Sequence, residues 1–143
     1  MIDEEFKKYG SYKYSVVSFL PDLIAGEDVN IGIEVHDMQT HILYKKYTKN
    51  VEEINRRYAF GHKGVEKMHE LILSGFDKFP EVQQDKDYLL KKHEEPNNGY
   101  KRIFYSQPYC GLFWNEQSKC EDVLNGLYER FVIIDKKEER NDQ

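Results

Sequence analysis

Glu27, Asn30, Gly32 and Glu34 share one run of the chain, Gly26–Val35, GEDVNIGIEV, in which the odd positions from Val29 onward are apolar. A glycine inside a strand lets a ligand or another backbone come close. Asn30 beside it supplies both a donor and an acceptor. The structural alternative is that Asn30 ties down the preceding loop while Glu27 caps an orphan amide or pairs with Lys45. Further on, Arg56 and Arg57 precede Gly61-His62-Lys63-Gly64, which reads as the opening of a helix. Free amides at a helix start, with Arg57 and Lys63, suit a phosphate. The spacing is not that of a phosphate-binding P-loop. Glu27, Asn30, Gly32, Glu34, Arg57 and Lys63 form the candidate ligand-binding set, with no cofactor, catalytic residue or metal ligand assigned.

Other groupings carry less chemistry. His36 and His41, expected opposite one another across a hairpin, offer a metal two imidazoles with Asp37 nearby, but a hairpin tip favours solvated histidines. His62, Glu66 and His69 fall at i, i+4 and i+7, yet no second such set exists for a two-metal centre. That face is expected to meet solvent. Tyr100, Phe104, Tyr105, Tyr109, Phe113 and Trp114 crowd the late part of the chain. With Lys101 and Arg102 they could stack bases, though core packing is the commoner use of such a cluster. Cys110 has no evident histidine or aspartate partner for a nucleophilic role.

The elements that position these residues follow from periodicity. Tyr12–Leu20 reads as a strand ended by Pro21, and Gly26 gives the next loop conformational freedom. Val29–His36 alternates strictly, with Val29, Ile31, Ile33 and Val35 on one face and Asn30, Gly32, Glu34 and His36 on the other. Residues 37–40 are expected to form a four-residue loop, and His41–Thr48 to return. That register sets His36 against His41, Glu34 against Leu43, Gly32 against Lys45 and Asn30 against Tyr47. Helices are expected from Asn50, over His62–Phe76, and from Pro80 to about His93, followed by a strand at Lys101–Gln107. Ser118 and Glu121 have capping-box spacing before a helix whose stripe is Cys120, Val123, Leu124, Leu127, Tyr128 and Phe131. The expected fold class is α+β: an antiparallel sheet of about four strands, three N-terminal and one late, with helices packed on one face.

With 143 residues, 39% hydrophobic and 33% charged, the chain has room for one core, expected over residues 1–135 with a disordered polar tail at 136–143. A net charge of −5 argues against general affinity for nucleic acid. No apolar run reaches the roughly 20 residues of a membrane span. The first residues, MIDEEFKKYG, are acidic where a signal peptide is basic and then apolar. Two cysteines, Cys110 and Cys120, fit reduced thiols in a cytoplasmic protein better than a disulfide framework.

The pattern Pro21-Asp22, then Gly26-Glu27 and Asn30-x-Gly32, followed much later by Ser106, Pro108, Gly111 and an amphipathic helix over 118–131, resembles the domain-of-unknown-function family 3037 of bacterial proteins. The resemblance implies kinship with proteins often found beside HipA-like kinases, and so a protein partner of that kind. The functional expectation is a non-enzymatic binding module, bacterial or phage, engaging a protein partner or a small anionic ligand. The alternative is a phosphate-ester hydrolase or nuclease, with Glu27 as general base and Arg57 or Lys63 clamping phosphate.

Overall fold

The computed structural model describes residues 10–22, 27–50, 80–96, 103–114 and 117–133. In chain order they form β1 (Ser11–Asp22), β2 (Glu27–Asp37), β3 (Ile42–Tyr47), β4 (Glu81–Val82), α1 (Tyr88–His93), β5 (Ile103–Tyr105), β6 (Tyr109–Leu112) and α2 (Cys120–Phe131). The class is α+β, as expected. The sheet is larger than expected: a curled antiparallel sheet of six strands, ordered β4-β3-β2-β1-β5, with β6 also on β1. The helices expected over 50–60 and 62–76 lie outside the described residues.

β1 passes through Pro21 instead of ending there, and its ladder with β2 is irregular between Phe19 and Asp22. A residue without an amide proton is tolerated at such a break. β5 and β6 lie end to end along the same edge of β1. Between them Ser106 keeps the ladder intact: its amide donates to the Val16 carbonyl at 2.8 Å, and its Oγ accepts from the Val16 amide at 2.9 Å.

The decisive irregularity lies in β2. Val17 pairs with Gly32 but Ser18 pairs with Asn30, so Ile31 is an extra residue with no ladder partner on β1. A bulge of this kind reverses the alternation beyond it. Gly32, Glu34 and His36 therefore share a face with Val17, Ser15 and Lys13, while Asn30 goes with Ser18 to the opposite face. The expected single polar face of Asn30 through His36 is corrected on that account.

Neither face of β2 is open. Ile31, Ile33 and Val35 are buried, and so are Glu34 and His36. α2 covers one face. Its Phe131 carbonyl accepts from Asn30 Nδ2 at 3.0 Å, and Lys46 reaches Asn125 Oδ1 at 3.0 Å while lying over the Tyr128 ring. On the other face Tyr88 of α1 meets the His36 ring edge-on. Helices thus lie on both faces instead of one. The stripe expected for α2 is the one that packs: Cys120, Leu124 and Tyr128 are buried.

Three local expectations change. In the β2–β3 turn, Asp37 Oδ1 accepts from the amides of Gln39 and Thr40, and His41 takes φ 59°. This moves the loop one residue along. Gly32 now faces Tyr47, Glu34 faces Lys45 and His36 faces Leu43, two positions beyond the expected register. Residues 80–87 are not helical. Glu81 and Val82 pair with Leu43 and Ile42, and the side chains of Gln83 and Asp85 accept from the amides of Asp85 and Asp87. Side-chain acceptors of this sort compete with helical bonds, and α1 starts only at Tyr88. The N-cap of α2 is Lys119, one residue beyond the expected Ser118, with extended backbone and no side-chain cap bond of its own. Glu121 and Asp122 in the first turn still complement the helix dipole.

Candidate functional site

The bulge and the shifted hairpin together bury a carboxyl group among phenols. Glu34 has no exposed surface. Its Oε2 accepts from the hydroxyls of Tyr47, on β3, and Tyr105, on β5, the latter at 2.5 Å. Its Oε1 is buried without a hydrogen bond. Burial pushes the Glu34 pKa up, and outweighs the phenol hydrogen bonds and the more distant charges of Lys45 and Lys92, which pull it down. Burial likewise raises the pKa of Tyr47, Tyr105 and Tyr88, and the Glu34 charge adds to each. The phenols therefore stay protonated and act as donors. Because two of them donate to Oε2, a proton taken up by the carboxyl group resides on Oε1. Lys45 is not the direct counter-ion, since its ammonium lies 3.0 Å from Glu81.

Two further polar groups share this face. His36 Nε2 lies 2.8 Å from the Gln83 carbonyl. A carbonyl only accepts, so Nε2 carries the proton. Burial lowers the His36 pKa and keeps the ring neutral, which leaves Nδ1 a lone pair. That atom, like Ser15 Oγ opposite Glu34, is buried without a hydrogen-bond partner. Serine, histidine and glutamate on one face have the composition of a hydrolytic triad. The arrangement lacks the hydrogen bond between nucleophile and base that such a triad needs, and all three residues are fully buried. It can hold a proton and fix the packing, but it presents no exposed group to a substrate.

The exposed chemistry lies elsewhere, along β5 and β6. Their ladder partners are on β1, and among the described residues their outer edge pairs with no strand. Tyr109 is 51%, Leu112 43% and Trp114 74% exposed on or just after β6. The strand is held from beneath by aromatic contacts, Tyr14 to Tyr109 at 5.4 Å and Tyr12 to Phe113 at 5.1 Å between ring centroids. Gly111 is needed there because a side chain at that position would run into the Tyr12 ring. The result is a firmly backed edge that no described strand covers, with exposed side chains along it, an arrangement that can accept an added strand or an apolar peptide, although His93 Nδ1 already meets the Tyr105 carbonyl at 2.9 Å.

The residues singled out from the sequence are dispersed. Asn30 satisfies the last turn of α2, Gly32 lies beneath the Tyr47 ring, and Glu34 is the buried carboxyl. Glu27 opens β2 opposite Asp22, and its side chain lies outside the described residues. So do Arg56, Arg57, His62, Lys63, Glu66 and His69. His36 is buried, not solvated as expected of a hairpin tip, because β4 and α1 cover it. Among the described residues no group of three or more metal-ligating side chains converges. Asp37 is occupied by turn amides and by the Cys120 thiol. Sequence reasoning missed Tyr47, Tyr88 and Tyr105 as partners of Glu34. The signal available was Gly32 itself, since a bare backbone position in a strand is a place where a large side chain can lie. The chain matches no protein-family model, no curated protein and no solved structure in these three comparisons.

Proposed function

We propose that the chain is a non-enzymatic interaction module that docks a protein segment along the β5–β6 edge. The observation that carries this reading is the run of exposed Tyr109, Leu112 and Trp114 beside an edge without a strand partner among the described residues. Exposed aromatic and aliphatic side chains beside a sheet edge that no described strand covers are costly to leave in water, and natural sheets usually blunt such edges with charge. The partner implied by the resemblance, a HipA-like kinase, is the first to test, and the cytoplasm is the proposed compartment. No described helix is long and apolar enough to cross a membrane. The hydrolase alternative rests on Glu27, Arg57 and Lys63, and no described contact favours it.

The experiment is a calorimetric titration of the purified chain with such a kinase, repeated with Trp114→Ser and Leu112→Asp. Both substitutions alter exposed side chains, so the melting temperature should stay near that of the parent. Stoichiometric binding that weakens by about tenfold or more in both variants supports docking on this edge. Binding unchanged in both variants would remove the edge as the docking surface.

A further inference from the structure

A cavity of about 280 Å³ lies where the β2–β3 turn meets the start of α2, lined by Asp37, Tyr44, Phe113, Lys119, Cys120 and Glu121 among others. It is on the α2 side of the sheet, away from the Glu34 cluster, and is independent of the β5–β6 edge reading. Its size is that of a small polar head group, below the range of most drug-sized sites.

The lining selects for charge. Asp37 is held in place by three donors: the amides of Gln39 at 2.8 Å and Thr40 at 3.2 Å on Oδ1, and the Cys120 thiol at 3.6 Å on Oδ2. A carboxylate fixed in this way cannot turn aside from a guest. Glu121 adds a second acid at the first turn of α2. Their field is visible in the neighbouring groups. After burial, Cys120 and then Asp37 and Glu121 push up the Tyr44 pKa, while the Cys120 pKa is pushed up by burial, by Asp37 through its charge and its hydrogen bond, and by Glu121. Phenol and thiol are therefore neutral, and Lys119, the single basic residue of the lining among the described residues, is exposed. The positive end of the α2 dipole would draw an anion, but Glu121 and Asp122 occupy that first turn and offset it. Tyr44 and Phe113 supply aromatic surface, and Phe113 is braced by Tyr12. Carboxylates beside aromatic rings are the combination that recognises a cation.

We infer that this cavity binds an organic cation, a guanidinium or primary ammonium group, with Asp37 as its fixed counter-charge, Glu121 as the second acid, and Tyr44 and Phe113 as its walls.

The test is an amide NMR titration of the full chain with agmatine, with N-acetyl-arginine amide, and with inorganic phosphate, repeated on Asp37→Asn and Glu121→Gln. Asn preserves the acceptor that the turn amides use, and Glu121 is exposed, so either variant can report if the other fails to fold. Saturable agmatine or arginine-amide shifts centred on Tyr44, Cys120 and Glu121 are expected. Affinity should fall about tenfold in Asp37→Asn and several-fold in Glu121→Gln. Tighter binding of agmatine would indicate a free amine as the natural guest. Tighter binding of the arginine amide would indicate a peptide side chain. Phosphate binding in place of both cations, or cation affinities unchanged in both variants, would overturn the assignment. Neither result depends on whether a protein partner docks at β6.

Discussion

The ring of Tyr47 lies over the bare backbone of Gly32, directly across the β2–β3 ladder, and its hydroxyl donates to Glu34 two residues further along β2. One contact thus explains both anomalies of this strand. The glycine makes room for the ring, and the ring carries the donor that a buried carboxyl group requires.

Replacing Gly32 with alanine should therefore destabilise the fold by about 1–3 kcal/mol, because the added methyl group must displace the Tyr47 ring from a filled core. Urea denaturation measures it. A loss under about 0.5 kcal/mol would show that the ring moves freely and that the glycine is not needed for packing.

The pH dependence of stability has a defined sign at Glu34. Its folded pKa is raised above 4.5, so its contribution is fully present below that pH and is lost as pH rises through the folded value. Glu34→Gln removes this slope. The stability of the parent relative to Glu34→Gln should fall steadily as pH rises from about 4.5. Parallel curves for the two proteins would mean that the carboxyl group is not held in its neutral form. His36 acts in the opposite direction: its pKa is lowered from 6.5, so stability is lost as pH falls below that value, and its imidazole NMR signal should titrate with a midpoint under 6.5.

Ser106 is a ladder residue in disguise. Its hydroxyl takes the place of a backbone acceptor for the Val16 amide in the gap between β5 and β6. Ser106→Ala leaves that amide without its partner and should cost about 1–3 kcal/mol. Hydrogen exchange at Val16 is the direct reading. Protection equal to the parent's would show that another acceptor takes over.

The two thiols should differ sharply toward a disulfide reagent. Cys110 is exposed, whereas Cys120 is buried with a pKa pushed up by burial and by Asp37. Only the thiolate attacks. One thiol should react quickly in the native protein and the second only on unfolding, and Cys110→Ser should abolish the fast phase alone. A fast phase that survives Cys110→Ser would place Cys120 in reach of solvent.

The strand at β2 and the buried stripe of α2 were legible in the sequence, because alternation at 29–36 and the spacing of Cys120, Leu124 and Tyr128 are local patterns set by backbone period. The turn at Asp37 was legible in kind and misplaced by one residue, since nothing local announces that His41 takes a left-handed conformation. What only the tertiary structure decided is how these elements use their side chains. The extra residue Ile31 sends Asn30 to α2 and keeps Glu34 inside. Tyr105, far along the chain, completes the carboxyl cluster, and Glu81 and Val82 become a strand because β3 offers them an edge. Each outcome depends on a partner brought from a distant part of the chain, and a contact of that kind leaves no period in the residues that make it.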